Sequence, residues 1–161
     1  MSDYYPISTD RANEAYAAAL LRCQQYRFAA NVRRAIASAF DAVYCTKALE
    51  PKFAALYPED RVIYYTASYS GDKILSVTRT TATGALLKTS VRLCRKGEKR
   101  INTAELIASA EDDEKRLEHL QSLLVNFYDN LAQYNVLCNC VRSARSRIAD
   151  VIYCLDNVYS F

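Results

Sequence analysis

The chain has 161 residues, 51% of them hydrophobic and 24% charged, with a formal net charge of +3. That length suits one domain with a core of its own, expected over 1–161, and the apolar content with so small a net charge excludes a disordered chain. The longest uncharged run, residues 130–141, is 12 residues, against the ~20 that a membrane span requires. No basic-plus-apolar leader opens the sequence, so a cytoplasmic protein with no membrane partner is expected.

Glycine and proline divide the chain. Gly71, Gly84 and Gly97 fall 13 residues apart in one region, and Pro6, Pro51 and Pro58 lie outside every periodic segment. Residues 9–49 read as a long helix. Ser8, Thr9 and Asp10 are N-cap candidates, alanine is abundant, and Pro51 supplies the stop. Tyr16, Ala19, Leu20, Cys23, Tyr26, Ala30, Ala37, Phe40 and Tyr44 recur at three- and four-residue steps as an apolar stripe, interrupted by Arg33.

Residues 61–95 read as a three-stranded antiparallel meander. Val62–Tyr69, Lys73–Thr80 and Ala85–Arg95 are the strands, with turns at Ser70-Gly71-Asp72 and Thr83-Gly84. In the third strand Leu87, Val91 and Leu93 alternate with Lys88, Ser90 and Arg92, one apolar face and one polar. Such a sheet needs a helix over its apolar side.

Residues 102–156 read as a second long helix. Asn102 with Glu105 has the spacing of a capping box. From Leu117 the apolar positions run Leu120, Leu124, Phe127, Leu131, Tyr134, Cys138 and Val141, then past Arg145 to Ile148, Ile152 and Leu155. The expected fold is therefore α+β, two long antiparallel helices with an inserted meander, in the order α-β-β-β-α. At 1.5 Å per residue the second helix outruns the first by roughly 20 Å. Its apolar end must then fold back at a break near Asn135 or Asn139, be covered by Tyr4-Tyr5-Pro6-Ile7, or pair with a second copy as a homodimer.

Charge is distributed unevenly. Residues 61–100 carry nine basic side chains against Asp72 and Glu98, a local +7, whereas residues 101–161 sum to −4 and include the run Glu111, Asp112, Asp113, Glu114. Arginine outnumbers lysine 14 to 7, which favours two-pronged contact with phosphate or carboxylate. The candidate anion-binding residues are Lys88, Arg92, Arg95, Lys96, Lys99 and Arg100, with Tyr64 and Tyr65 as stacking surfaces. The competing explanations are a solvated strand edge or internal pairing with residues 111–114. Arg33 and Arg145 within the apolar stripes either reach water, pair with an acid such as Asp41 or Asp113, or join Arg34, Arg142 and Arg147 around an anion pocket between helices.

No catalytic constellation emerges. The glycines are too far apart for a phosphate loop. The only histidine, His119, stands in an acidic helical stretch, away from a nucleophile it would activate. Six scattered cysteines in a chain without a leader read as buried reduced thiols, and Cys138-x-Cys140 on a helix points to opposite sides. Neither a metal, nor a cofactor, nor an enzyme is expected. The expectation is a non-enzymatic binding protein that engages nucleic acid, a nucleoprotein or an acidic protein surface, of the kind of small regulator or inhibitor that mobile elements carry. Two alternatives stand beside it: an oligomeric helical scaffold, and a protein that sequesters a small anion such as a nucleotide.

Overall fold

The computed structural model describes residues 7–38, 55–57, 60–98 and 100–137. In chain order they form α1 (Thr9–Ala37), β1 (Arg61–Tyr69), β2 (Asp72–Thr80), β3 (Leu86–Cys94), α2 (Thr103–Leu124) and α3 (Phe127–Leu137). The fold is α+β in the order α-β-β-β-α, with the final helical stretch in two pieces. The residues group into two compact units: one is Gln24–Leu117, and the other joins the described residues up to Cys23 to those from Glu118.

The unit of residues 24–117 holds the sheet. Its three strands are nine residues each and pair antiparallel in the order β1-β2-β3. The β1–β2 connection is Ser70-Gly71, with φ of 53° and 86°, the signs of the two-residue hairpin turn whose twist matches the strands. Gly71 is required twice over. Its backbone is left-handed, and a Cβ there would stand 2.7 Å from Cγ of Lys96, whose stem crosses the turn.

Alternation on β3 follows the expected faces. Leu87, Thr89, Val91 and Leu93 are buried, and Leu86, Lys88, Ser90 and Arg92 are exposed. Leu75 and Val77 of β2, opposite Val91 and Thr89, complete the inner face. Phe28, Val32, Ile36 and Ala37 of α1 cover it, with Ile101 and Leu106 closing one end. Here the sequence stripe is incomplete. Tyr26, Ala30 and Ala37 are buried as expected, but so are Phe28, Val32 and Ile36, spaced four apart on a second line. Conversely Leu20 is 45% exposed. A helix this rich in alanine has little contrast between its sides, so periodicity locates its burial poorly.

Arg33 is the polar interruption of that stripe, and it pairs with Asp113 of α2 at 2.6 Å; Asp113 also takes Arg116 at 3.3 Å. Arg34 grips both oxygens of Glu114. Two of the carboxylates in the acidic run are thus occupied by α1 rather than by the sheet. The hydrogen bond from Arg34 holds the Glu114 carboxyl below its ordinary pKa. A lowered folded pKa means stability that is present in full above the unfolded value and drains away as pH falls through the folded one. Glu114→Gln should therefore flatten the acid limb of stability against pH, checked by urea unfolding across the carboxylate range.

In the unit of residues 7–23 and 118–137, Ser8 caps α1 by accepting the Arg11 N–H at 3.2 Å. Tyr16 packs on Phe127 and Tyr128, with ring centroids 5.5 and 5.1 Å away. Tyr128 donates its hydroxyl to Asn13 at 2.8 Å. Asn135 exchanges two hydrogen bonds with the backbone of Ile7. These contacts run the start of α1 antiparallel to α3. A break in the second helix falls at Val125–Asn126, and the helix runs on through Asn135, where a break was one expectation; Asn139, the other, lies outside the described residues. Asn126 adopts φ of 60°, a left-handed helix end that asparagine tolerates better than most residues. Its carbonyl then accepts the first bond of α3 from Asn130 at 2.9 Å. Leu120, Leu124, Phe127 and Leu131 are all buried, so two short helices satisfy the apolar spacing that reads as one.

Phe40 and Tyr44 of the stripe, the expected helix past Leu137 with Ile148, Val151, Ile152 and Leu155, the arginines 142, 145 and 147, and the Cys138–Cys140 pair lie outside the described residues. Among the described residues, no helix is long and apolar enough to cross a membrane.

Candidate functional site

The outer face of the β2–β3 hairpin collects three of the eight sequence candidates, Lys88, Arg92 and Arg95. Register places Lys88 opposite Thr78, Ser90 opposite Ser76, and Arg92 opposite Ile74. Residues directly opposite in an antiparallel pair share a face, so these six positions form one surface. The Ser76 and Ser90 hydroxyls share a hydrogen bond of 3.2 Å. Arg61 and Thr80 pair at the far end of the same register. Lys88 and Arg61 are exposed, and neither forms an ion pair among the described residues. Four residue steps along the strand carry Lys88 to Arg92, about 13 Å. The β3 edge is anchored behind Lys88, whose carbonyl accepts the Gln25 carboxamide at 2.6 Å.

Arg92 and Arg95 are three residues apart, a spacing that a regular strand would split between opposite faces. A bulge reunites them. Lys73 pairs with Cys94 and Ile74 with Arg92, which leaves Leu93 as an extra residue. Leu93 and Cys94 are both buried as a result, and Arg95 emerges on the side of Arg92. Both reach Glu105, in the first turn of α2. Arg92 donates to one carboxylate oxygen at 3.1 Å, and Arg95 stands 3.7 Å from the other. Asp72 lies 3.6 Å from the second prong of Arg92. Glu105 first, and Asp72 with it, hold the Arg92 guanidinium above its ordinary pKa.

Glu105 is itself positioned by the expected capping box: Asn102 accepts the Glu105 N–H at 3.1 Å and donates its amide to the Glu105 carboxylate at 3.3 Å. Asp72 accepts the backbone N–H of Lys96 at 3.0 Å, while the Lys96 stem lies across Gly71. Arg100 is exposed. Lys99 lies outside the described residues. Tyr64 and Tyr65 hold consecutive places in the β1–β2 register, opposite Val77 and Ser76 respectively, so the two positions alternate in face.

The local +7 is thus partly neutralised. Arg79, at the opposite end of β2, is on the inner side. Asp60 takes its guanidinium at 2.6 Å, and Tyr57 stacks 4.0 Å beneath it. A cleft of about 410 Å³ opens there, lined by Gln24, Leu56, Tyr57, Asp60, Arg79 and Thr81–Thr83; with Arg79 matched by Asp60 it offers no uncompensated cation. The sequence reading missed Glu105 and Asp72 as parts of the site, and the hydroxyls Ser76 and Thr78. The Asn102-x-x-Glu105 spacing announced a helix start, but nothing in it announced two arginines. Searches against family models, curated proteins and solved structures found no match to this chain.

Proposed function

We propose that the outer face of the β2–β3 hairpin is a docking surface for an acidic partner, with nucleic acid the class its chemistry fits best. The observation that carries this reading is the row Lys88, Thr78, Ser90, Ser76: hydroxyls and a cation on one surface, with no carboxylate among them. Lysine, serine and threonine are the side chains that hold phosphate oxygens without reading bases. Arg92 and Arg95 extend the row at one end and Arg61 at the other. The reading implies backbone recognition with little sequence preference and a steep dependence on salt.

The test is fluorescence anisotropy of a labelled single-stranded oligonucleotide over a salt series. Lys88→Glu should weaken binding about tenfold, on the order of 1.4 kcal/mol, and reduce the salt slope by about 1. Lys115→Glu, an exposed reversal on α2, is the matched control and should leave the slope alone. No binding at low salt, or equal loss in both variants, would remove the proposal. Tighter binding to polyglutamate than to the oligonucleotide would redirect it to an acidic protein.

A further inference from the structure

The arginines nearest this face are already occupied, and by a carboxylate that is built to leave. We propose that Glu105 is an internal stand-in for the partner's phosphate, closing the Arg92–Arg95 fork until a phosphodiester displaces it; this rests on the docking surface proposed above.

Three features set Glu105 apart from an ordinary surface acid. The first is geometry. Each of its carboxylate oxygens faces a different arginine, 3.1 Å from Arg92 and 3.7 Å from Arg95. Two oxygens on one centre, met by two guanidinium groups, is also the arrangement in which the non-bridging oxygens of a phosphodiester are held. The second is exposure. Arg92, Arg95 and Glu105 are 40%, 59% and 44% exposed at their side chains, and an ion pair so open to water contributes little to stability, so an incoming anion displaces it at small cost.

The third is attachment. The bond that caps α2 runs from the backbone N–H of Glu105 to Asn102, so the carboxylate can swing away while the helix keeps that cap, giving up only the long, exposed bond of 3.3 Å from the Asn102 side-chain amide. Asp72 is the contrasting case. It also approaches Arg92, but its other oxygen accepts the Lys96 N–H. Turning Asp72 away would break its bond to the backbone at the end of the sheet and leave that exposed N–H to water. Asp72 therefore stays and keeps Arg92 aimed, while Glu105 gives way.

The bulge at Leu93 makes the fork continuous with the rest of the face, because it carries Arg95 to the side on which Lys88, Ser90 and Arg92 already stand. Opening the gate lengthens the row of phosphate donors by two arginines. The partner class that profits is a chain of phosphates long enough to touch Lys88 and the fork together. A lone nucleotide profits less.

The experiment compares the wild type with Glu105→Gln, Glu98→Gln and Lys88→Glu by anisotropy of the same oligonucleotide over the same salt series. Glutamine preserves both capping-box hydrogen bonds, and thermal unfolding checks that each variant is folded. Glu98 is exposed in the adjoining turn and forms no ion pair among the described residues, so its variant makes the same charge change without freeing an arginine. Glu105→Gln should tighten binding about threefold to fivefold, the range that loss of one exposed ion pair allows, and steepen the salt slope by about 0.7 per phosphate gained. Glu98→Gln should leave the slope unchanged. Unaltered or weaker binding by Glu105→Gln overturns the gate, as does an equal gain from Glu98→Gln. If Lys88→Glu weakens binding while Glu105→Gln does nothing, the gate alone fails. If the wild type does not bind, the docking surface fails and the gate falls with it.

Discussion

Truncating Phe28 to alanine is expected to destabilise the chain by about 3–5 kcal/mol. Phe28 is fully buried, and it is among the largest side chains in the core between α1 and the sheet. It touches that core on one side and the Tyr57 ring on the other, with centroids 5.7 Å apart. Removing it deletes apolar burial and leaves a void between elements that cannot close, since Leu75, Val77 and Leu87 are fixed by the ladder. Against a typical total of about 5–15 kcal/mol, such a loss brings the fold to its margin. Urea unfolding should show a large drop in midpoint with little change in slope. Phe28→Leu should cost about 1–1.5 kcal/mol, because volume is nearly kept. A loss in the alanine variant no larger than that would mean the site collapses freely and the core is not organised around this ring.

Asp113→Ala should come next, at about 2–3 kcal/mol, below the full value of a buried pair because Arg33 is partly in water. Asp113 is 7% exposed and holds Arg33 at 2.6 Å and Arg116 at 3.3 Å. Its removal leaves the Arg33 cation facing the α1–α2 contact with no counter-charge. The double variant Arg33→Met, Asp113→Leu should recover much of the loss, since an apolar pair of similar size costs no desolvation. The measurement is a double-mutant cycle by denaturant unfolding. Losses from the two single variants that simply add would show that Arg33 and Asp113 do not act as a unit.

The sheet was legible because each strand announces itself twice, in its own residues and in the glycine turn beside it. The capping box at Asn102 and Glu105 was legible for the same reason: the spacing has one physical use. The second line of α1 burial, Phe28, Val32 and Ile36, was not, because alanines on the neighbouring stripe satisfy the same three- and four-residue steps. The break at Asn126 was hidden by its own compensation, since Leu124 and Phe127 keep the apolar phase across it. At the candidate site, the exposed cations of β3 could be read from alternation. Their neutralisation could not. Glu105 approaches Arg92 only because a loop of eight residues returns α2 to the end of β3, and no local pattern encodes that return. Of the acids named as partners for Arg33, Asp113 is the one the described residues show in contact, across 80 positions of sequence, while Asp41 lies outside them.

The extra residue at Leu93 has an evolutionary corollary. Two chains could carry identical arginines at the end of this strand and still present unlike surfaces, if one of them paired its ladder without the bulge. Regularising the ladder while Leu93 stays would send the second guanidinium through to the opposite side and strand the carboxylate with one partner, whereas losing Leu93 together with the bulge would keep both guanidiniums on one side. What selection must hold constant here is the match between a count and a pairing, and relatives compared only letter by letter at aligned columns would conceal whether they kept it.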